Sequence, residues 1–565
     1  MRRLLLTAAL AVPLAAPAQD EIAVNQVGYL PGAAKVADVP AGRATAFSVI
    51  DAEGRTALRG RLGAASTWAP AGQAVRLADF SALKRPGRYR LRVEGLPDSP
   101  AFDIGAEAYA ALNAGAIRAY YFNRASTPLL AEHAGPWARA AGHPDDHVIV
   151  HASAAGPGRP EGSVISAPKG WYDAGDYNKY IVNSGITVYT LLAAWEHFPE
   201  VLRDQDLRIP ESGNGLPDLL DEALWNLEWM LAMQDPADGG VYHKLTNKGF
   251  DGVVMPADAK GERYVVQKTT AAALDFAAVM AQASRVFAAF ETERPGLSAR
   301  MLTAARRAWS WAQAHPREIY RQPADIHTGE YGDPELSDEF AWAGVELWVS
   351  TGEAAFRPDL ERLPIGVPSW GDVKGLAWVT LGSHRQDLSQ NDSVVVKTRI
   401  MALADQLTAT WRASAYRVGM RAQDYEWGSS SVMLNRALML IQGYRLAPRP
   451  DTLAAAQALF DHVLGRNPMG RSLVTGFGSR PPRHPHHRPS EADGVDEPVP
   501  GFVVGGPNPG QQDQPGCPVR YASPLPARSW LDHFCSYASN EVAINWNAPL
   551  VYVSAALQAL TPKAR

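Results

Sequence analysis

Residues 216–231 read Leu-Pro-Asp-Leu-Leu-Asp-Glu-Ala-Leu-Trp-Asn-Leu-Glu-Trp-Met-Leu. Leu216, Leu219, Leu220, Ala223, Leu224, Leu227 and Leu231 recur at steps of three and four, the spacing of one helix face. Pro217 and Asp218 fall in the first turn, where proline lacks no needed N–H and an acid meets the positive helix end. The same period returns over 106–122, 269–290, 299–314, 338–350, 430–442, 452–463 and 541–559. About a dozen helices joined by long Gly- and Pro-rich loops predict a helical toroid rather than an α/β fold. No GxGxxG, P-loop or run of buried parallel strands interrupts the series.

Upstream, residues 21–104 change period. The runs 44–50, 75–80 and 88–93 are separated by Gly, Pro and Asp. Arg88-Tyr89-Arg90-Leu91-Arg92-Val93 alternates polar and apolar, which is the period of a half-buried strand. Short strands between turn signals predict a β-sandwich. It carries no catalytic cluster and reads as an accessory domain.

At the N-terminus, Arg2 and Arg3 precede an apolar run over 4–17, and Ala16-Pro17-Ala18 forms an A-x-A site. This is the pattern of a secretory signal peptide over residues 1–18, shorter than the ~20 residues of a membrane span. No later stretch reads as a span. The expectation is export, to a periplasm or the medium. The two cysteines, Cys517 and Cys535, either pair across a short loop in that oxidising setting or remain thiols. Net charge is −5, from 54 basic and 59 acidic residues, which gives no nucleic-acid footprint. The 16 Trp, 19 Tyr and 15 Phe supply flat rings of the kind sugar clefts use, although most aromatics are core.

Three stretches carry chemistry. Trp171-Tyr172-Asp173-Ala174-Gly175-Asp176-Tyr177-Asn178 places two carboxylates three residues apart around a small pair. Such a pair can hold one water, or can serve as an Asx turn and helix cap. The loop Arg483-His484-Pro485-His486-His487-Arg488 is stiffened by proline and presents His and Arg. That set suits gripping hydroxyls or a carboxylate better than binding zinc. In Asp532-His533-Phe534-Cys535-Ser536-Tyr537-Ala538-Ser539-Asn540-Glu541, Glu541 opens an apolar helix. There the dipole would keep its pKa low, whereas Tyr537 and Trp546 would desolvate it and raise it.

Together these stretches resemble glycoside hydrolase family 9, the cellulase family. Val24-Asn25-Gln26-Val27-Gly28-Tyr29-Leu30 resembles the immunoglobulin-like module of one subgroup. Glu211–Glu222, Asp338-Glu339-Phe340-Ala341-Trp342 and Leu464-Gly465-Arg466-Asn467-Pro468 also match. The resemblance implies an N-terminal all-β immunoglobulin-like sandwich (21–105) followed by an all-α (α/α)6 barrel (106–562). It implies inversion at the anomeric carbon. Asp176 would be the general base, Asp173 its support and Glu541 the general acid. Asp532 would support the acid's surroundings, and His486 and Arg488 would bind sugar, with His487, Tyr537 and Trp171 as further sugar contacts.

No organic cofactor is expected. Relatives with this module carry structural calcium, and Thr328, Glu330, Asp333 and the distant Asp372 resemble one such site, with Asp493 a second candidate. The zinc of some relatives is expected to be absent, because Ala125 and Gly142, beside His143, stand where cysteines would. The expected partner is a β-1,4-glucan, met by a monomer, with no nucleic acid and no membrane. No cellulose-binding module follows Leu560, so soluble or amorphous chains are expected rather than crystalline cellulose. An endo-glucanase, an exo-acting cello- or amino-sugar oligosaccharidase and a non-catalytic glucan binder remain open at this point.

Overall fold

The computed structural model describes residues 21–563, and the signal-peptide reading of residues 1–18 lies outside them. Seven strands form the first layer pair: β1 (Val36–Pro40), β2 (Ala46–Asp51), β3 (Thr56–Arg61), β4 (Ser66–Trp68), β5 (Gln73–Asp79), β6 (Gly87–Arg92) and β7 (Phe102–Ile104). One sheet has the order β1-β5-β4 and the other β3-β2-β6-β7. In β6, Tyr89 and Leu91 point inward while Arg88, Arg90 and Arg92 face water, as the alternation predicts. Tyr29, Phe47, Phe80, Leu91 and Phe102 fill the space between the sheets.

The sandwich is fixed to the helices by buried polar groups. Asn25 Nδ2 donates to Asp461 Oδ1 (2.8 Å), and Arg466 pairs with Asp38 at 3.0 Å with both side chains buried. At Gly28 (φ +137°) a Cβ would lie 2.6 Å from the Asp103 carbonyl oxygen, so the junction requires glycine.

Eleven helices of ten or more residues follow among the described residues: α1 (Ala110–Phe122), α2 (Ile181–His197), α3 (Asp218–Ala232), α4 (Thr270–Phe287), α5 (Leu297–Ala314), α6 (Ser337–Thr351), α7 (Lys374–Ser383), α8 (Gln390–Ala413), α9 (Ser429–Leu446), α10 (Pro450–Val463) and α11 (Ile544–Leu560). Packing closes α2, α4, α6, α7, α9 and α11 into a ring in that order, with α11 returning to α2. α1, α3, α5, α8 and α10 cover it outside. Between α6 and α7 the outer place is taken by the irregular segment 352–373, with one short helical turn at Ala354–Phe356. The result is an (α/α)6 barrel with one outer helix replaced by loop.

The inner helices are buried nearly all round, so their stripe is weak; α2 is buried at every position from Ile181 to Ala194. For this reason 181–197 and 374–383 escape a periodicity search; 390–413, an outer helix buried along the stripe Val396, Ile400, Ala404 and Leu407, is also missing from the helices expected above. Thr270–Phe290 is long and apolar enough to cross a bilayer, contrary to the expectation that no such stretch exists. It is a core helix, 78% buried inside the barrel.

A small sheet lies at one end of the ring. Its strands are β8 (Val148–Val150), β9 (Val164–Ile165), β10 (Lys179–Tyr180), β11 (Lys244–Thr246) and β12 (Tyr264–Val265), in the order β10-β11-β12-β8-β9. Two- and three-residue strands leave no readable alternation in the sequence. This sheet anchors the chain just after Asp176.

Candidate active site

The inner helices begin at one end of the barrel, and the segments ahead of them converge there. Tyr331, ahead of α6, donates its hydroxyl to Asp173 Oδ2, ahead of α2, at 2.7 Å. Its ring meets Trp370, ahead of α7, edge-on at 5.0 Å. The α11 N-terminus reaches the same loop, Ile544 N–H donating to the Asp173 carbonyl at 2.9 Å. Trp427, ahead of α9, lies 5.3 Å from Tyr537, ahead of α11.

The two carboxylates of the 173–176 loop differ in their partners. Asp173 accepts at both oxygens, from Asn183 Nδ2 (2.6 Å) at Oδ1 and from Tyr331 at Oδ2. Asp176 accepts at Oδ2 alone, from the Asn178 N–H (3.3 Å), from Asn178 Nδ2 and from the Tyr180 hydroxyl (3.4 Å). Its Oδ1 has no protein donor among the described residues. Burial first, and the Asp176 charge second, push Asp173 up to about 7.

Gly175 between them admits the histidine loop. A Cβ there would lie 2.2 Å from the His486 carbonyl oxygen. The Gly175 carbonyl accepts from Arg488 twice, from its backbone N–H (3.1 Å) and from Nη1 (2.8 Å), while Arg488 Nε holds the Asp251 carbonyl (2.9 Å). Arg488 thus braces the carboxylate loop.

Glu541 does not sit on α11, which begins at Ile544; it is an extended residue after the turn Tyr537–Asn540, with ψ 157°. It bridges to His486 in parallel, and its carbonyl accepts from the Gly505 N–H at 2.9 Å. Its carboxyl is therefore not a first-turn group of α11. Burial, then the charges of Asp176 and Asp173, hold its pKa well above the usual carboxylate range, against Arg488 and the Gly175 backbone. One carboxyl held protonated beside another that has an oxygen free of protein donors can serve as an acid and base pair.

Around this pair, His486 stacks on Phe534 at 4.7 Å and donates Nδ1–H to the Phe534 carbonyl (2.6 Å). Burial lowers its pKa to about 4, so Nε2 remains an acceptor. Asp532 accepts from the N–H groups of Arg483 and His484 (3.0 Å each) and from Asn540 Nδ2 (3.3 Å). It braces the histidine loop and the residue preceding Glu541. Phe250 (52% exposed), Trp427 (42%) and Tyr537 (36%) present open rings, Phe250 over the Arg488 guanidinium.

Two expected sugar contacts lie elsewhere. Trp171 is fully buried and donates Nε1–H to Glu222 (2.8 Å). His487 is buried between Asn123 (3.2 Å) and Ser490 (2.8 Å) against Phe502. Neither ring joins the group around Asp176 and Glu541. Tyr331, Trp427 and Asn183 were not singled out from sequence. A lone Tyr or Trp in a loop has no signal there, and Tyr331 lay within a stretch read for its oxygen ligands.

The calcium reading also changes. Thr328 Oγ1 accepts from Lys244 Nζ (3.1 Å), a side chain whose pKa burial lowers to about 7, and Glu330 is exposed. Asp372 pairs with Lys374 at 2.9 Å. Asp493 Oδ1 accepts from the Val495 N–H (2.9 Å), closing its own turn, while its Oδ2 is buried without a hydrogen-bond partner. Asp333 belongs instead to a buried acidic cluster with Asp275, Asp338 and Glu339. Both carboxylate oxygens of Asp275 and of Glu339, and Oδ2 of Asp333, are buried without a hydrogen-bond partner. Burial and the mutual charge push Glu339 up to about 11. At the expected zinc position, a Cβ on Gly142 would lie 2.4 Å from Pro256, leaving no room for cysteine. Cys517 and Cys535 are joined as a disulfide, and with His533 they form the group among the described residues whose possible metal-ligand atoms lie within 4.8 Å of one another.

Comparison with known proteins places this geometry. Residues 109–554 match the model of glycosyl hydrolase family 9, and residues 17–98 match the cellulase N-terminal Ig-like domain. A xyloglucan-specific endo-β-1,4-glucanase of Bacteroides ovatus is 43% identical over 561 residues, covering 96% of this chain and 94% of the relative. Endoglucanase D of Acetivibrio thermocellus is 32% identical, covering 95% and 83%. A solved Bacteroides ovatus GH9 structure superposes with TM-score 0.90 at 41% identity, covering 96% of this chain and all of that one. A match running from the first helix of the barrel to the last, over carboxyls that already converge in space, makes this chain a glycoside hydrolase of family 9.

Proposed function

We propose that this chain is an inverting endo-β-1,4-glucanase. Asp176 is the base that activates water, Asp173 its support and Glu541 the acid that protonates the leaving oxygen. The observation that carries the reading is the asymmetry of the loop carboxylates. Of the two, Asp176 alone keeps an oxygen free of protein donors, and its charge acts on a glutamic acid held protonated. Inversion needs that division, a base with a water between it and the sugar and an acid on the other side of the bond. The open rings of Phe250, Trp427 and Tyr537 suit sugar faces on either side. His486 Nε2 and Arg488 offer an acceptor and donors to hydroxyls. The signal-like N-terminus supports export to the medium or a periplasm, where such polymers are met.

The substrate is a β-1,4-glucan backbone, and the kinship with a xyloglucan-specific enzyme makes xyloglucan the first polymer to test. On xyloglucan, mixed-linkage glucan and carboxymethyl-cellulose, viscosity is expected to fall early relative to reducing ends released. Cellohexaose should first yield α-anomeric products from internal cuts, followed by NMR. Retained β-anomers would reject the assigned roles, and release of one terminal unit at a time would favour the exo-acting reading.

Structural calcium is proposed at Asp275, Asp333, Asp338 and Glu339. Buried carboxylates without cationic partners are what a hard dication stabilises. Its contribution there is charge neutralisation that ties α4 to α6. Chelation is expected to lower Tm by several degrees, with added Ca²⁺ restoring it, and Glu339→Gln should lose that dependence. A Tm indifferent to chelator, in protein shown metal-free by elemental analysis, removes the site.

A further inference from the structure

We infer that Asn178 is a positioning residue that orients the Asp176 carboxylate and keeps its second oxygen turned to water, and that Arg263 and Asp145 fix this amide from behind. The inference rests on Asp176 being the base.

The amide cannot turn over. Asn178 Oδ1 accepts from the Asn247 N–H (3.0 Å) and the Thr246 hydroxyl (3.0 Å), with Arg263 Nη1 at 3.5 Å. A backbone N–H and a guanidinium only donate, so the carbonyl end must face them. Nδ2 is then left to face Asp176 Oδ2, which also receives the Asn178 N–H. One residue thus grips one carboxylate oxygen with two donors and leaves the other open.

The fold supplies the register. β10 begins one residue after Asn178 and pairs antiparallel with β11, Lys179 opposite Leu245 and Tyr180 opposite Lys244. That pairing brings Asn178 against Thr246 and Asn247. Behind them, Arg263 donates from Nη1 to Asn247 Oδ1 (2.6 Å) and from Nε to Asp145 Oδ1 (3.1 Å). Asp145 also pairs with Lys179 at 2.7 Å. Asn178, Arg263 and Asp145 are all buried. The positive guanidinium polarises the Asn178 carbonyl and so strengthens donation from its amide to Asp176.

Other charged or titratable groups also face Asp176: Asp173, Glu541, Asp251, Lys244 and Tyr180. A change at Asn178 acts on top of their field, so each variant is compared with the parent. Asn178→Asp keeps the shape and the acceptor toward Arg263 but sets an oxygen against Asp176 Oδ2. Two carboxylates so placed share a proton, which raises the pKa of the pair.

The full chain is assayed on a soluble cello-oligosaccharide across pH, with Tm recorded for each variant. Asn178→Asp is expected to move the acid limb of kcat/KM up by about one unit or more. Asn178→Ala is expected to lower kcat by about tenfold or more with KM within about twofold. An acid limb at the parental pH in Asn178→Asp, together with parental kcat in Asn178→Ala, overturns the inference, whatever Tm does. Asp176→Asn separates the two claims. If it stays active, the base assignment fails. If it is inactive while both Asn178 variants behave as the parent, only the positioning role fails.

Discussion

Glu541→Gln is expected to cut kcat on a glucan by about 10²–10⁴-fold, the range a positioned general acid supplies. The substitution keeps the side-chain shape and removes the proton that the leaving oxygen needs. An aryl cello-oligoside with a strongly acidic phenol departs without protonation, so its hydrolysis should be largely spared. A parental rate on the glucan removes Glu541 from the acid role, and equal losses on both substrates argue for disturbed binding instead.

The same variant carries a stability signature. In the folded chain the Glu541 pKa is raised, by burial first and by Asp176 and Asp173 next. Between its unfolded value, about 4.5, and its folded value, the native state holds a proton that the unfolded chain has released. Stability therefore falls as pH rises through that window. Glutamine has no such cost, so its Tm gain over the parent should be larger at pH 8 than at pH 5. A Tm difference independent of pH rejects the raised pKa. The alkaline limb of kcat/KM follows loss of the Glu541 proton.

Legibility in the sequence follows physical range. The sandwich strand Gly87–Arg92 alternates exposed and buried positions and so shows a face, while the outer helix Asp218–Ala232, with no exposed position, is legible through its leucine spacing and its Pro217-Asp218 start. The inner helix Ile181–His197 is buried at every position to Ala194 and shows none. Motifs of several residues mark the 173–176 loop, the 483–488 loop and Glu541, and the fold brings all three together. Within a motif, direction is lost. Trp171 and Asp173 stand two residues apart, yet one side chain is core and the other faces Tyr331. His486 and His487 diverge likewise, because extended neighbours point to opposite sides. The acidic cluster was half visible, since Asp333 was named from its loop. Asp275 lies in the apolar core helix Thr270–Phe287, where spacing gives no hint of a partner 58 or more residues away.

Asp176→Asn and Asp173→Asn should separate by the partners each oxygen already has. In Asp176 the free Oδ1 is where water must be deprotonated, and an amide cannot take that proton. The expected loss is again about 10²–10⁴-fold, and it should fall equally on glucans and on activated aryl cello-oligosides, unlike the Glu541 variant. Azide, which attacks without losing a proton, should restore turnover and give a glycosyl azide of inverted configuration. Asp173 is already bonded at both oxygens, to Asn183 and Tyr331, and so has no free site for the same work. Its substitution should leave a measurable remnant, with kcat reduced about tenfold through a misplaced water. Because the Asp173 charge helps raise the Glu541 pKa, neutralising it should also move the alkaline limb to lower pH. A silent Asp173→Asn and an active Asp176→Asn would exclude the water-activating role from this loop. An inactive Asp173→Asn beside an active Asp176→Asn, rescued by azide in the former, would exchange the two assignments.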